Sequence, residues 1–577
     1  MVVVPNSRIR LLKSPIELDN RNQLTFSNLQ AQTNYFLSLP YLEYDNCTYQ
    51  RKEGVIRYET EPNGITFEDL LGYNYCMYQN TSYDNKWFYA FITDIKYVND
   101  GMTEIKIETD VIQSWKFEIN YKASFIEREH VADDTIGLNI IPEDLDYGEF
   151  TNGQEKTAIG FSNNAICVIT TKQLNTDGTA GDPNIVNAGL QNGVYNGLYF
   201  QWFVDMPTSS TTYDDYENYK CALAFISRFG RTTGTDISDV IAVFMCPIEI
   251  LGTYKETRDL TFFADGADRK IYYYVSTVNR NAQVMMNDGL IWDTRTLAGY
   301  GTPRNNKLLC YPYRYLLATN NTGETVEYHY EGFVPDIVES GPREGQNTLH
   351  FRTYGAVSQG CSMKCVPKNY KRLTGDNFIE GINYSKFPIG AWIGDSYTNW
   401  LTQNAVNLMA TEVGGVIKGV GGIAQVGGGV YSGDAEIFES GLTNLAGGVA
   451  DIFGVMVDKY QHSFMPNQAN GNLNVGDLVY AYNQNEISFY HMSIKPQYSA
   501  VLDRYFDMFG YKVNIVKVPN FESRVNWNYI KTRGLNITGE IPQADMQKIK
   551  NIFDTGITFW HNPTTFLDYT QSNTIVS

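Results

Sequence analysis

Alternating apolar and charged residues constrain the local structure of one long segment. Within residues 102–112, Ile105, Ile107, Thr109 and Val111 alternate with Glu104, Lys106, Glu108 and Asp110. This is the period-two pattern of a β-strand with one solvated face. Residues 86–98 are rich in aromatic and β-branched side chains, and Asn99-Asp100-Gly101 between the two segments supports a tight turn. The sequence therefore predicts a β-hairpin over both segments.

Comparable patterns extend the strand prediction along the chain. Aromatic residues make up 14% of the sequence, with 42 Tyr and 30 Phe, and such residues are enriched in strands. Further strands are predicted, between turn-rich stretches, at 124–131, 165–171, 239–245, 270–276, 487–494 and 511–518. Helical spacing is restricted to 401–409, 500–508 and 542–555. We predict a mainly β fold with a minor α component, built from antiparallel β-barrel or sandwich domains.

One segment interrupts this pattern. Residues 405–456 contain two Gly-rich apolar runs, each about 18–20 residues long and close to the length that crosses a bilayer as a helix. Glycine destabilises a helix in water by about 1 kcal/mol per residue. In lipid, by contrast, unsatisfied backbone groups are so unfavourable that a helix becomes obligatory. The segment is predicted to be a long apolar loop that becomes active at a membrane.

The side chains of this loop divide into two groups. An acidic group between the two runs is predicted at the loop tip: Asp434, Glu436 and Glu439. The predicted membrane-active residues are Val413, Gly414, Gly415, Val416, Ile417, Val420, Ile423, Val426, Val430, Leu442, Leu445, Val449, Ile452, Phe453, Val455 and Met456.

A plainer interpretation of the loop stands beside this one. Gly-rich apolar stretches are commonly flexible linkers or tightly packed buried loops. Lys418, Asp451 and the acidic tip oppose insertion, at about 2.5–3.5 kcal/mol for each charge at the membrane centre. A loop of about fifty residues inside a compact protein is nevertheless rare, and such loops tend to be functional.

The charge balance restricts the possible partners. The chain has 45 Lys and Arg against 64 Asp and Glu, a net charge of −19. Tight nucleic-acid binding depends on cations that displace counterions from phosphates, so the balance argues against a protein that grips DNA. An acidic surface that DNA slides past is compatible with it.

The cysteines and the N-terminus indicate a reducing compartment. The eight cysteines are scattered, and several lie in apolar strand-like runs, as expected of free thiols that pack as small hydrophobic groups. Cys361 and Cys365 are close, but no second pair or nearby His completes a zinc spacing. The N-terminal residues lack the features of a signal peptide. We expect no metal site and synthesis in a reducing cytoplasm.

No catalytic or cofactor site can be defended from the sequence. The segment 419–424 fits a loose dinucleotide-binding fingerprint but lacks a preceding strand and a β-α-β setting. In Glu127-Arg128-Glu129-His130, a strand would place the two Glu side chains on one face and Arg128 and His130 on the other. This run predicts ion pairs between strands or between subunits more readily than acid–base catalysis. The expected protein is not an enzyme and needs no cofactor.

Short motifs at both ends of the chain resemble one family. They are NKWFYAF (85–91), ETDVIQSW (108–115), SFIEREHV (124–131), LDYG (145–148), GYK (510–512), PN (519–520), NYI (528–530) and IFDTGITFWH (552–561). Together they resemble the tail knob, or distal tail tube, proteins of small podoviruses with protein-primed genomes that infect Gram-positive bacteria. The resemblance is dense over 1–150 and 490–565, whereas 155–300 departs from it.

The resemblance implies an architecture and a role. Members of this family form a homo-hexameric tube below the tail collar, and phage DNA passes through it without sequence-specific binding. Their hydrophobic loops plug the lumen and later penetrate the host cytoplasmic membrane as a channel; the matching segment here, in position and character, is 405–456. The implied location is the virion tail, assembled in the cytoplasm of the bacterial host. Other implied partners are the collar or lower tail tube and a tip plug or cell-wall hydrolase.

The same resemblance suggests a division of the chain. Tail-tube-like β domains would comprise an N-terminal part at 1–155 and a C-terminal part at 471–577. A middle or knob β domain would occupy 156–395, and the plug or membrane-active loop 396–470.

Two other classes of protein remain open at this point. A carbohydrate-binding or hydrolysing β protein that acts on the cell wall would suit the acidic balance and the many Trp and Tyr residues. It predicts two carboxylates roughly 5–10 Å apart in an aromatic cleft. A cellular pore-forming toxin would share the Gly-rich insertion segment but would normally be secreted.

Overall fold

Two compact units make up the chain in a computed structural model. The first comprises Met1–Glu149, Tyr300–Cys310 and Lys495–Ser577, and the second Phe150–Gly299 and Tyr311–Ile494. The structure describes residues 7–394, 468–472 and 486–576, except for these short gaps: 48–53, 61–63, 82–83, 154–156, 162–163, 175–189, 192–193, 196–197, 230–231, 233–234, 236–238, 254, 265–266, 277–282, 322, 335–336, 339–340, 343–347, 357–361, 372–374 and 385–388.

Strands dominate both units. In chain order, the strands are β1 (Ser7–Leu12), β2 (Asn22–Leu24), β3 (Tyr41–Cys47), β4 (Val55–Glu59), β5 (Tyr75–Asn80), β6 (Trp87–Asn99), β7 (Met102–Thr109), β8 (Asn120–Tyr121), β9 (Ser124–Glu129), β10 (Phe150–Asn152), β11 (Thr157–Gly160), β12 (Asn164–Thr170), β13 (Leu190–Gln191), β14 (Val194–Tyr195), β15 (Tyr199–Phe203), β16 (Val240–Pro247), β17 (Lys255–Ala264), β18 (Ala267–Ser276), β19 (Gln283–Trp292), β20 (Arg314–Thr319), β21 (Thr325–Tyr328), β22 (Ile337–Val338), β23 (Gly341–Pro342), β24 (Thr348–Ala356), β25 (Ser362–Pro367), β26 (Ile382–Tyr384), β27 (Ile389–Gly394), β28 (Gln468–Asn472), β29 (Glu486–Ile494), β30 (Tyr511–Lys517), β31 (Trp527–Arg533), β32 (Ile537–Thr538) and β33 (Ile557–Trp560).

Helices are few among the described residues. They are α1 (Leu29–Ser38), α2 (Phe67–Leu70), α3 (Val111–Trp115), α4 (Asn218–Phe229), α5 (Pro496–Phe509) and α6 (Gln543–Thr555). The helices predicted at 500–508 and 542–555 are confirmed as α5 and α6, although Pro542 is the N-cap residue of α6 rather than part of its first turn. The helix predicted at 401–409 lies outside the described residues.

A six-stranded antiparallel sheet begins the first unit, in the order β3-β1-β5-β6-β7-β4. The predicted hairpin is present as β6 and β7, in which Asn99 pairs with Met102. The strand prediction was wrong for residues 110–112, because the Asp110 carboxylate accepts the N–H groups of Ile112 and Gln113, each at 3.0 Å. This N-cap ends the strand and starts α3 instead.

A second sheet of this unit brings the two ends of the chain together. Its order is β2-β33-β31-β9-β30, with β2 and β33 parallel and the other neighbours antiparallel. Helix α6 buries Ile549 and Phe553, four residues apart on one helical face, in a core shared with Ile126 and Ile530 of this sheet. The N-terminal and C-terminal sequences therefore build one hydrophobic core.

The second unit contains larger sheets. A seven-stranded sheet runs β17-β18-β15-β12-β16-β27-β28, a five-stranded sheet has β29 paired with β10, β11 and β20, and a four-stranded sheet runs β19-β24-β25-β26. Trp202 of β15 is fully buried in the main core of this unit, together with Phe351 and Phe489. Helix α4 places Phe225 against Phe203 and Tyr273 in a further core cluster.

These observations confirm the predicted fold class, a mainly β protein with antiparallel sheets and few helices. The further predicted strands also appear, with boundaries that differ by one to three residues. The prediction of free thiols holds for the cysteines whose side chains the structure describes. Each of these cysteines is buried and keeps its thiol outside any disulfide: Cys76, Cys167, Cys221, Cys246, Cys310 and Cys365.

Candidate functional site

The predicted membrane-active loop lies outside the part of the chain that the structure describes. This applies to every apolar residue predicted between Val413 and Met456 and to the acidic residues Asp434, Glu436 and Glu439. Within the described residues, no helix combines the length and the apolar character that a bilayer crossing requires. The described residues also hold no cluster of His, Cys, Asp and Glu arranged to bind a metal ion.

An irregularity in β9 creates a site among the described residues of the first unit. In the pairing with β31, Arg128 lies opposite Lys531 and Ile126 opposite Thr532, so Glu127 is skipped. In the pairing with β30 the register also shifts, and Asn514 adopts a left-handed φ of 46°. Bulges of this kind redirect side chains. The predicted strict alternation is therefore wrong here, because Glu127 and Arg128 line the same cleft.

We call this site the charged cleft. Its volume is about 340 Å³, near the lower end of the roughly 300–1,000 Å³ typical of small-molecule sites. Strands β9, β30 and β31, helix α5 and the segment before β10 supply its walls. The lining residues are Glu127, Arg128, Glu143, Asp144, Tyr505, Phe509, Lys512, Tyr529 and Lys531.

A buried ion cluster forms one side of the cleft. The Glu143 side chain is completely buried and pairs with both Arg128 and Lys307. It also accepts the backbone N–H of Lys512 at 2.9 Å. Arg128 donates to the carbonyl of Gly510 at 2.7 Å, and its guanidinium lies 5.0 Å from the centre of the Tyr505 ring. These contacts fix the positions of the charges before any ligand arrives.

Partly exposed ion pairs lie along the cleft. Glu127 contacts Lys531 at 2.8 Å and Arg533 at 3.3 Å, and Asp144 contacts Lys512 at 2.5 Å. The hydrogen bond from Lys531 lowers the pKa of Glu127, and that from Lys512 lowers the pKa of Asp144. Both carboxyl groups are therefore ionised at neutral pH and have no proton to donate as general acids.

Three aromatic rings form the remaining wall. The ring centroids of Tyr505 and Phe509 are 5.1 Å apart, and those of Phe509 and Tyr529 are 5.2 Å apart in an edge-to-face arrangement. Burial raises the pKa of Tyr529 to about 12. The cleft thus combines an apolar aromatic wall with paired charges, an arrangement suited to binding a small polar ligand.

The rest of the Glu127–His130 run stabilises the sheet beside the cleft. Glu129 contacts Lys517 of β30 at 2.5 Å, while burial raises the pKa of the Glu129 carboxyl. His130 is buried, and its ring lies between the backbone N–H of Tyr529 and the carbonyl of Asp507. The prediction of ion pairs between strands is confirmed by the contacts from Glu127 to β31 and from Glu129 to β30.

Sequence reasoning missed most of the cleft. Glu143, Tyr505, Phe509 and Tyr529 come from distant parts of the chain, and none had been selected as a candidate site residue. A local signal exists at Tyr505 and Phe509, which are four residues apart and therefore share one face of α5. Glu127 and Arg128 meet Lys512, Tyr529 and Lys531 through the pairing of β9 with β30 and β31.

Comparisons with known proteins place this fold in a class. Residues 5–120 match the family described as the caudoviral major tail protein N-terminus. The bacteriophage C1 tail knob protein, gp12, has a similar structure, with a TM-score of 0.62 at 15% identity, covering 99% of this chain and 100% of that one. The N-terminal segment thus resembles tail proteins of tailed phages, and the fold of the chain is that of a phage tail knob protein.

The family follows from the C-terminal half. Residues 277–574, more than half of the chain, match the C-terminal domain of tail knob protein gp9 of Bacillus phage phi29. The tail knob protein gp9 of Bacillus phage B103 is 26% identical over 97% of both chains, and that of phage phi29 is 26% identical over 97% of this chain and 98% of its own. The chain belongs to the tail knob protein family. It is a component of the virion tail, and the resemblance seen in the sequence motifs is confirmed.

Proposed function

We propose that six copies of this chain form the tube of the tail knob, through which the phage genome is ejected into the host. In this proposal, residues 396–470 plug the lumen before ejection and then penetrate the host cytoplasmic membrane to form a channel for DNA. The observation that carries the proposal is the Gly-rich apolar segment 405–456 within a chain of the tail knob family. The role is structural, with no enzymatic activity of its own.

The sheet edges of the first unit support assembly into a ring. Strands β3 and β4 are the two edges of the six-stranded sheet. Tyr41 of β3 is 46% exposed and Val55 of β4 is 54% exposed. Pairing of edges between neighbouring subunits removes exposed strand edges, and a closed ring repeats one such contact around its axis.

The charge of the chain supports passage of DNA. Each subunit carries a net charge of −19. An acidic lumen would repel phosphates and would not trap DNA through counterion release. DNA would therefore pass without sequence-specific binding.

The solvent dependence of the Gly-rich segment supports the change from plug to channel. Packed against its copies in a dry lumen, the segment is shielded from water, and small residues allow close contact between chains. At a bilayer the same backbone must satisfy its hydrogen bonds internally, which favours helices. We place Asp434, Glu436 and Glu439 at the tip of each loop, where oligomerisation or acidification would reduce the unfavourable burial of charge.

Further partners follow from the position of a knob in the tail. The subunits would contact the collar or lower tail tube at one end, and a tip plug or cell-wall hydrolase at the other. The host cytoplasmic membrane becomes a partner only during infection.

Liposome leakage tests the membrane role. A variant lacking 412–457 is compared with the wild type and with a variant in which the same residues are replaced by a Gly-Ser linker of equal length. The expected result is leakage by the wild type alone, with six-fold rings for all three proteins by native mass measurement and electron microscopy. Equal leakage by all three proteins would contradict the membrane role, and a stable wild-type monomer would contradict the tube.

A further inference from the structure

We propose that the charged cleft binds a neutral sugar ring, such as a hexopyranose unit of a bacterial surface saccharide, and holds it without cleaving it. This inference concerns the first unit and does not depend on the membrane-active loop. It assigns to the tail knob a direct contact with the saccharide coat of the host.

The aromatic wall favours a sugar ring over other polar ligands. A pyranose has an apolar face of C–H groups and an edge of hydroxyl groups. Phe509 forms the middle of the wall, with Tyr505 and Tyr529 on its two sides at ring distances of 5.1 and 5.2 Å. Partly exposed rings of this kind offer a broad apolar surface with polar groups at its border.

The ion pairs select against charged ligands. Each cation that lines the cleft is already matched with a carboxylate: Arg128 with Glu143, Lys512 with Asp144, and Lys531 with Glu127. A phosphate or carboxylate ligand would have to displace one of these partners and leave it without its counter-charge. A hydroxyl group can donate to a carboxylate and accept from an ammonium group, so a neutral polyol adds hydrogen bonds without breaking a pair.

The backbone around the cleft is held rigidly. Gly510, between α5 and β30, has φ of 61°, and a Cβ at this position would lie 2.1 Å from the carbonyl oxygen of Glu129. The close approach brings the end of α5, with Phe509, against β9. The completely buried Glu143 side chain holds Arg128 beside Tyr505. A preorganised site loses little conformational entropy when it binds a small ligand.

The same geometry argues for binding without hydrolysis. Hydrolysis of a glycosidic bond uses a protonated carboxyl group and an ionised one on opposite sides of the bond. Hydrogen bonds from Lys531 and Lys512 keep Glu127 and Asp144 ionised at neutral pH. Glu143 is fully enclosed by Arg128, Lys307 and the backbone N–H of Lys512.

Saturation-transfer difference NMR on the assembled full-length protein tests this proposal. The probes are methyl α-D-glucopyranoside and methyl N-acetyl-β-D-glucosaminide, with glucose 1-phosphate as the anionic comparison. We expect saturation transfer to at least one neutral glycoside and a weaker signal from the phosphate. No transfer to either neutral glycoside, or a stronger signal from the phosphate, would overturn the proposal.

Two variants test whether the saturation-transfer signal arises from binding in the charged cleft. Phe509→Ala removes the centre of the aromatic wall. Lys531→Gln replaces a charged ammonium donor with a shorter neutral amide, while Arg533 remains beside Glu127. We expect Phe509→Ala to abolish the transfer and Lys531→Gln to weaken binding roughly tenfold. Lys531 is partly exposed, so Lys531→Gln remains informative if Phe509→Ala does not fold.

The matched controls are residues that do not line the cleft. Arg57→Gln breaks a comparable exposed pair with Glu104 at 3.2 Å, and Trp292→Ala removes an aromatic side chain that is 51% exposed in the second unit. Both controls should retain the wild-type signal. A loss of signal in the controls equal to that in Lys531→Gln would show that binding occurs elsewhere and would overturn the assignment, while the proposed tube would stand.

Discussion

Nδ1 of His130 accepts a hydrogen bond of 2.7 Å from the backbone N–H of Tyr529. Because this nitrogen is an acceptor, the proton of the neutral ring lies on Nε2, which donates to the carbonyl of Asp507 at 3.0 Å. The imidazole therefore joins β31 to the end of α5. Burial is the main reason that the pKa of His130 is lowered to about 3.

This arrangement predicts acid sensitivity. In the unfolded state His130 has an ordinary pKa of about 6.5 and is protonated below that pH. In the folded state the ring stays neutral down to about pH 3. Its stabilising contribution is complete above pH 6.5 and is lost as the pH falls from 6.5 towards 3. At pH 5, His130 alone should lower the free energy of unfolding by about 2 kcal/mol.

The variant His130→Gln measures this contribution. It should be less stable than the wild type at pH 7, but its free energy of unfolding should fall by about 2 kcal/mol less between pH 7 and pH 5. Urea unfolding can be followed through the fluorescence of Trp527, which is fully buried in the same unit. His329→Gln, at a partly exposed position in the second unit, is the control. If the free energy of unfolding fell equally in His130→Gln and the wild type between pH 7 and pH 5, His130 would not be the source of the acid sensitivity.

The buried carboxylate of Glu143 should be essential for stability. Glu143→Gln leaves Arg128 and Lys307 without their counter-charge, and we expect a loss of about 3–5 kcal/mol. The adjacent Asp144→Asn breaks a pair in which the carboxylate is 76% exposed, so we expect a much smaller loss. Urea denaturation of both variants compares them directly. Similar losses for the two would show that the buried cluster does not stabilise the unit.

Asp110 provides a second test of burial. Its carboxylate caps α3 and also accepts from Tyr75 at 2.9 Å and Gln23 at 3.1 Å, both inside the core. We expect Asp110→Ala to lower the free energy of unfolding by about 3–5 kcal/mol, because a cap is lost and buried donors remain unsatisfied. Asp69→Ala removes the carboxylate half of the exposed capping box of α2, so it should lower the free energy of unfolding much less than Asp110→Ala does. Thermal denaturation that ranks the two variants in the reverse order would contradict this account.

Gly510 should tolerate no side chain. Gly510→Ala would place Cβ 2.1 Å from the Glu129 carbonyl oxygen at a φ of 61°, and we expect a loss above about 4 kcal/mol or failure to fold. Gly534 also has a positive φ, of 74°, but open space around it, so Gly534→Ala should lose only about 1–2 kcal/mol. Soluble yield and melting temperature distinguish them. Equal soluble yields and melting temperatures for the two variants would mean that the close approach of Gly510 to the Glu129 carbonyl does not limit stability.

Local patterns predicted the strands and helices well, because period and turn chemistry act over a few residues. The β6–β7 hairpin and α6 were predicted within a few residues of their bounds. The prediction failed at residues 110–112, where the side chain of Asp110 overrides an apparent alternation by capping the next helix. A buried capping carboxylate is difficult to recognise from sequence, since Asp at this position also fits the polar face of a strand.

The charged cleft could not be predicted from local sequence patterns, for a different reason. Glu143 precedes Tyr505 and Lys531 by more than 350 residues, and the strands of the cleft meet only when β9 pairs with β30 and β31. The run Glu127–His130 correctly predicted ion pairs between strands. Its bulge, which aims Glu127 and Arg128 into one cleft, depends on the register of neighbouring strands and has no signature in the run itself.

The parallel pairing of β2 with β33 has a consequence for how the protein is made. Residues 22–24 cannot complete their sheet until residues 557–560 have left the ribosome. At about 5–20 residues per second, that interval is on the order of half a minute to two minutes. During this interval β2 lacks its partner β33. A prematurely terminated chain, which has no β33, cannot complete this sheet.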